Sequence, residues 1–279
     1  MDFDLDLSMA VGSERQSRRN QQRLNQADFD FLHTNARVGR ALGLGHFVHL
    51  DQPIGIWNYI RIADDISRQI PSGHVLDWGC GYGQMTYLLK RRGFQVTAFD
   101  IGEPGKTTSP DIPLCRDLEV TYTSHPTSLP FKDGAFDAVL SCGVLEHVDE
   151  YSQPGNELKS LRELARVLRP NGYLLIYQLP QRYAWQETII RCSRIGYAHP
   201  RRYTASEITG SLQDAGYAVQ RMRRANLIPK NLTGMPSKLR AAYSRSSKVL
   251  IALDGALCKV PALNHLAGVL EITARRNSA

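Results

Sequence analysis

His74-Val75-Leu76-Asp77-Trp78 runs straight into Gly79-Cys80-Gly81-Tyr82-Gly83, and this junction decides the fold. The first five residues read as a short buried strand. The glycines mark a tight turn, because a backbone without Cβ atoms can bend sharply and approach a ligand closely. Gly83 to Arg92 then reads as a helix with Met85, Leu88 and Leu89 on its apolar face, closed by Gly93. A second strand, Gln95 to Phe99, ends at Asp100.

The alternation extends in both directions. Upstream, Gln52-Pro53 opens a helix over Ile54 to Ile70, stopped by Pro71-Ser72-Gly73. Residues 1 to about 28 are polar and rich in Gln, Asn and Arg, and read as a loose arm or frayed helix. Downstream, a long irregular segment precedes a short third strand, Leu118 to Tyr122, and a fourth, Ala135 to Ser141. Leu158, Leu161, Leu164, Val167 and Leu168 form a helical stripe broken by Arg169-Pro170-Asn171-Gly172. Tyr173 to Leu179 is nearly continuous in apolar residues, as a strand covered on both faces should be. Thr204 to Ala215 reads as a helix, and two late strands fall near Ala218 to Met222 and Gly268 to Ala274. Between them, Leu239 to Leu250 and Ile251 to Val260 are apolar-periodic and read as a helical insertion. Such alternation implies α/β architecture with a mostly parallel sheet and helices on both sides. The expected organisation is an N-terminal arm and helical cap over 1–50, a core over 51–225, an insertion over 226–264, and a final strand and tail over 265–279.

Ligands of open α/β sheets bind beyond the carboxyl ends of the strands. There the turn offers backbone N–H groups and a helix start suited to a carboxylate. Asp77 offers an acceptor for an ammonium. Asp100, 17 residues after Gly83, stands where a carboxylate can take both hydroxyls of a ribose. The combination suits a nucleoside carrying an amino-acid tail, whereas a pyrophosphate would be repelled by Asp77. A dinucleotide oxidoreductase wants G-x-G-x-x-G, and the sixth position counted from Gly79 is Gln84.

Five stretches in order carry a resemblance: Asp77 to Gly83, Asp100, Leu129-Pro130-Phe131 with Phe136-Asp137, Leu145-Glu146-His147-Val148, and Arg169 to Gly172. They resemble the successive motifs of class I S-adenosylmethionine-dependent methyltransferases, in the small-molecule and quinone-type (type 11-like) branch, over about residues 72 to 180. The resemblance implies a Rossmann-like, doubly wound, seven-stranded sheet and S-adenosylmethionine as cofactor. It implies that Asp77, Gly79, Gly81 and Gly83 hold the methionine moiety and Asp100 the ribose, with Cys80 and Cys142 flanking the site as small residues. The loop position that usually carries an Asp near the adenine amine is here His125, followed by Pro126, so adenine contacts are expected from backbone groups, Ile101 and Leu129.

For chemistry, His147 is the candidate general base, at the end of Cys142-Gly143-Val144-Leu145-Glu146-His147 and oriented by Glu146 or Asp149. The alternative is that Glu146-His147 merely caps a helix. Candidate acceptor contacts are Tyr59 (with Trp57, either over the cofactor or in the core), Tyr183 and Trp185 (with Glu187) after the fifth strand, and Arg202. His199, Arg201, Arg202 and Tyr203 form either an anion clamp or a solvated loop.

Composition narrows the rest. The 279 residues are 42% hydrophobic and 22% charged, with net charge +7. Arg182 to Lys248 holds 13 Lys/Arg against three acids, a block that attracts an anionic substrate, membrane surface or RNA, or is simply solvated. Five cysteines without a C-x-x-C pair suit a reducing cytosol and point to no zinc site, so no metal is expected. No secretory signal or membrane-spanning stretch is visible, which makes a cytoplasmic location the expectation, with peripheral membrane contact through the insertion left open. The leading expectation is an enzyme methylating O, N or C of a small or lipid-like, possibly anionic, acceptor. Competing readings are an RNA or protein methyltransferase and a non-catalytic S-adenosylmethionine-binding protein. Against RNA stand the missing Asn/Asp-Pro-Pro-aromatic motif after the fourth strand and the lack of an appended RNA-binding module.

Overall fold

The computed structural model describes residues 3–43, 49–102, 109, 111–149, 155–194, 197–230, 232 and 236–278 and, for residues 3–13, the backbone alone. Its strands are β1 (His74–Trp78), β2 (Gln95–Ile101), β3 (Val120–Thr123), β4 (Phe136–Cys142), β5 (Leu168–Pro180), β6 (Tyr217–Ala225) and β7 (Val269–Arg276). They form one sheet in the order β3-β2-β1-β4-β5-β7-β6, parallel except for β7, which opposes both β5 and β6. The helices are α1 (Phe3–Ala41), α2 (Pro53–Gln69), α3 (Gln84–Lys90), α4 (Pro113–Arg116), α5 (Asn156–Val167), α6 (Trp185–Ser193), α7 (Ala205–Asp214), α8 (Ser237–Arg245), α9 (Ser247–Leu257) and α10 (Pro261–Asn264). This is the doubly wound, mostly parallel α/β fold expected from the sequence, including N-terminal helices and a helical insertion before the last strand.

Successive side chains of a strand go to opposite faces, so an apolar run serves two cores at once. Val75, Ala138, Leu140, Leu175 and Tyr177 pack with residues of α1, α2 and α3 on one face. Leu76, Trp78, Val139, Leu174 and Ile176 pack with residues of α5 and α7 on the other. Thr204 opens α7 with a capping box, its side chain accepting from the Glu207 N–H while Glu207 reaches back to the Thr204 N–H. Among the described residues no helix is long and apolar enough to cross a membrane.

Three local readings change. The polar N-terminal segment, read as a loose arm or a frayed helix, is one continuous helix, α1, although its first side chains lie outside the described residues. Polar contacts do much of the docking that an apolar stripe usually does. Asn25 Nδ2 donates to Asp64 Oδ2 at 2.7 Å, and fully buried Asp28 accepts from Arg91 Nε at 3.1 Å and Arg92 Nη1 at 3.0 Å. The fifth strand starts at Leu168 instead of Tyr173. Leu168 pairs with Phe136 and Tyr173 with Ala138, so Arg169-Pro170-Asn171-Gly172 bulges out within one strand, Asn171 taking φ 62°. The segment from Trp185 forms α6, a helix the sequence reading did not contain.

The insertion leans on the N-terminal layer. α9 packs on α2, and Lys248 Nζ sits 4.3 Å from the Trp57 ring centroid, which stacks on Phe29 at 4.8 Å. Trp57 thereby belongs to this helical layer.

If Asp28 anchors α1, Asp28→Ala should cost about 3 kcal/mol, the low end for breaking a buried pair, because Arg92 retains Asp64 at 2.6 Å. Glu14→Ala, which removes an exposed pair with Arg18, should cost about 0.5 kcal/mol or less. Equilibrium urea unfolding measures both, and equal losses would contradict the anchoring role.

Candidate active site

The turn leaving β1 is hung on the end of β2. The N–H groups of Gly79 and Cys80 both donate to Phe99 O, at 2.8 and 2.9 Å, and the Gly81 N–H donates to Asp100 Oδ2 at 2.8 Å. Asp100 Oδ1 accepts from the Ile101 N–H at 2.8 Å, so the carboxylate is fixed at both oxygens. Burial raises its proton affinity above the ordinary carboxylate value, and these two N–H groups oppose the rise. Gly79 and Gly83 are required by packing as well as by φ of 74° and 80°. A Cβ on Gly79 would lie 2.5 Å from Val144 Cγ2, and one on Gly83 would lie 2.5 Å from Leu118 Cδ2. A Cβ on Gly81 would meet nothing within 4 Å.

Asp77 is 2% exposed and accepts from Thr86 Oγ1 at 2.6 Å. Burial pushes it up to about 6; the Thr86 bond opposes this and the nearby Asp100 charge adds to it. Tyr59, 8% exposed, packs close to Gln84, Cys142, Asp77 and Glu146, beneath the turn.

Trp78, Gly79, Phe99, Asp100, Ile101, Pro126, Gly143, Val144, His147 and Val148 line a cleft of about 150 Å³. It opens beyond the carboxyl ends of β1, β2 and β4, where strand order reverses. Of the sequence candidates, the fold brings Gly79, Asp100, Ile101 and His147 into this cleft. Cys80 and Cys142 sit behind it, and burial pushes both thiols up. The Leu129 N–H donates to Glu163 Oε1 at 2.7 Å and its side chain packs in the core, while Pro126 and Ile101 line the cleft. His125 turns its Nδ1 to Thr127 Oγ1 at 2.8 Å.

The opposite wall is built around His147, on a 3₁₀ turn, Leu145–His147, that follows β4. Its Nε2 lies 3.9 Å from Oε1 of Glu146, which is buried. Asp149 Oδ1 accepts from the Glu157 N–H at the start of α5 at 3.1 Å. A second imidazole, His199, has its Nδ1 2.7 Å from Glu187 Oε1, and its backbone N–H donates to Glu187 Oε2 at 3.1 Å. The two rings are 5.8 Å apart. This pairing spans twelve residues with no periodic cue, so only the fold reveals it. Thr86 was likewise missed, though its place one turn into α3 above Asp77 was a usable signal.

The remaining acceptor candidates separate. Tyr183 is 59% exposed, and Trp185 ties α6 to the segment after β6 through Nε1 donating to Leu227 O at 2.8 Å, so neither lines the cleft. Half-buried Arg201 and fully buried Tyr203 are both bonded to Glu157. Arg202 lies near Glu187, and burial followed by the charge of Arg191 lowers its proton affinity.

A family profile described as a methyltransferase domain matches residues 76–176. The chain is similar to a probable tRNA methyltransferase 9B of Mus musculus, 31% identical over 48% of this chain and 29% of that protein. It is also similar to a ubiquinone biosynthesis O-methyltransferase of Caulobacter sp., 35% identical over 38% of this chain and 40% of that protein. The chain thus spans well under two thirds of each of these relatives. The fold is similar to that of the 1,6-didemethyltoxoflavin-N1-methyltransferase of Burkholderia thailandensis, with a TM-score of 0.51 at 20% identity over 89% of this chain and 88% of that one.

The turn's packing yields a direct check. Gly79→Ala meets both the Val144 methyl groups and an unfavourable φ, and should lose about 2–4 kcal/mol, whereas Gly81→Ala meets only the φ term, about 1–2 kcal/mol. Adding Val144→Ala should recover part of the Gly79→Ala loss and none of the Gly81→Ala loss. Denaturant midpoints that fail to separate the two single variants would contradict the close approach.

Proposed function

We propose that this chain, whose residues 76–176 form a methyltransferase domain, moves a methyl group from S-adenosylmethionine to an oxygen, nitrogen or carbon of a small, negatively charged acceptor. The observation that carries the reading is the convergence of Gly79, Asp100 and His147 on one cleft at the sheet's switch point. The residues fit this cofactor. Gly81 leaves unobstructed space beside the turn, and Asp77 is an acceptor for the ammonium. Each oxygen of Asp100 already has one backbone donor and retains a lone pair for a ribose hydroxyl. Ile101 and Pro126 offer apolar surface to the purine.

The cofactor supplies a methyl group already activated on a sulfonium, so alignment is the protein's main task, worth on the order of 7–11 kcal/mol. The turn and Asp100 hold the cofactor's two ends in fixed relation. Val144 and Val148 keep water from the cleft, and His147 assists removal of the acceptor's proton. Arg202 with the neighbouring Arg191 and Arg182 supports a negative charge on the acceptor. A second reading, an RNA acceptor, draws support from the tRNA-methyltransferase name of one relative and from the basic block.

Incubation with methyl-labelled cofactor and fractionated extract should label an acidic small-molecule fraction. Label in RNA, with salt-sensitive retention of RNA, would favour the second reading. Cofactor binding without label in any fraction would leave only a binding protein. His147→Ala should lower kcat about 10²–10⁴-fold while S-adenosylhomocysteine affinity stays within about twofold; unchanged turnover would remove His147 from the chemistry.

Asp77 predicts a pH dependence. Its ligand-free value is about 6, and an ammonium favours the ionised form, so binding releases its proton. S-adenosylhomocysteine affinity should climb as pH rises from 5 and level off above about 7, being roughly tenfold weaker at pH 5 than on the plateau. Asp77→Asn should flatten the curve in titration calorimetry, and a flat wild-type curve would contradict the pairing.

A further inference from the structure

Glu146, His147 and His199 each bring one ligand atom to within 4.8 Å of the others. The 3.9 Å between Glu146 Oε1 and His147 Nε2 is too long for a hydrogen bond. It is close to the separation of two ligands that each sit about 2.0–2.2 Å from one cation. His199 is held at Nδ1 by Glu187, the carboxylate–histidine pairing that fixes tautomer and ring direction in metal sites.

We propose that Glu146, His147 and His199 bind a divalent transition-metal cation at the acceptor end of the cleft, with Glu187 supporting His199 from behind. Two imidazoles and a carboxylate are a donor set suited to Zn²⁺ or a similar first-row ion, and three protein ligands leave coordination positions for water and one acceptor atom. The acceptor atom this selects is a hydroxyl oxygen. On binding, its O–H bond breaks, an O–metal bond forms and the proton passes to water, giving the oxyanion that methylation needs. His147 then assists deprotonation as a ligand and not as a free base, and the buried acid of the Leu145-Glu146-His147 turn acquires a task. The choice of an oxygen acceptor rests on the methyl-transfer reading; the cation site does not.

The test uses the full chain, stripped with a chelator and titrated with Zn²⁺ by calorimetry, with the visible spectrum of a Co²⁺ titration as a second readout. Wild type should bind one equivalent that His199→Ala and Glu146→Gln each lose, and Glu187→Gln should weaken that equivalent about 10–100-fold. S-adenosylhomocysteine affinity should be unchanged in all three variants, which shows that they fold and keeps this test separate from the cofactor reading. No stoichiometric uptake by wild type overturns the proposal, as does a His199→Ala protein that binds Zn²⁺ and colours Co²⁺ as wild type does.

Discussion

Two neighbouring acceptors on β2, the Phe99 carbonyl and the Asp100 carboxylate, hold three successive N–H groups of the turn that leaves β1. This is possible because β1 and β2 pair in parallel with Trp78 opposite Phe99, and β2 runs on to Ile101 beyond the end of β1. A turn with φ positive at Gly79, Gly81 and Gly83 has no ladder of its own, and β2 supplies the partners. The cleft, the approach of Val144 to Gly79 and the position of His147 all follow from that attachment.

Around this centre the chain satisfies charge internally to an unusual degree. Glu271, nearly buried on β7, is paired by Arg61 and Arg223, and Asp65 on α2 by Arg221 and Arg223. Lys230 meets Asp254 at 3.1 Å in the insertion, and Arg201 meets Glu157. Much of the basic block is therefore consumed in joining β6, β7 and the insertion to the helical layer. Such pairs add little net stability over apolar packing, but losing one partner strands the other charge. They fix how the late strands and insertion seat on the core.

Regular elements were legible in the sequence wherever apolar spacing controlled them. β1 was readable residue for residue, and β2, β4, α2 and α7 to within a residue or two, because buried strands and capped helices announce themselves in side-chain type. The continuity of α1 was hidden because polar bonds such as Asn25 to Asp64 have no periodic signature. α6 was hidden because its apolar face is short. Within the site, Gly79, Asp100, Ile101 and His147 were legible from motif order, since their positions are set by strand ends. The bond from the Leu129 N–H to Glu163 was not legible, because loop backbone direction leaves no mark in side-chain order. Glu187 with His199 was invisible for the same reason: their meeting depends on how the segment after β5 returns to the sheet.

A crystal structure of the full chain grown with S-adenosylhomocysteine tests the central claim most directly. The account predicts both ribose hydroxyls on the Asp100 carboxylate and the amino-acid end beside Gly79 and Gly81, with the thioether sulfur facing the His147 wall. A cleft that instead takes up NADH, or a nucleoside bound away from Asp100, would contradict it.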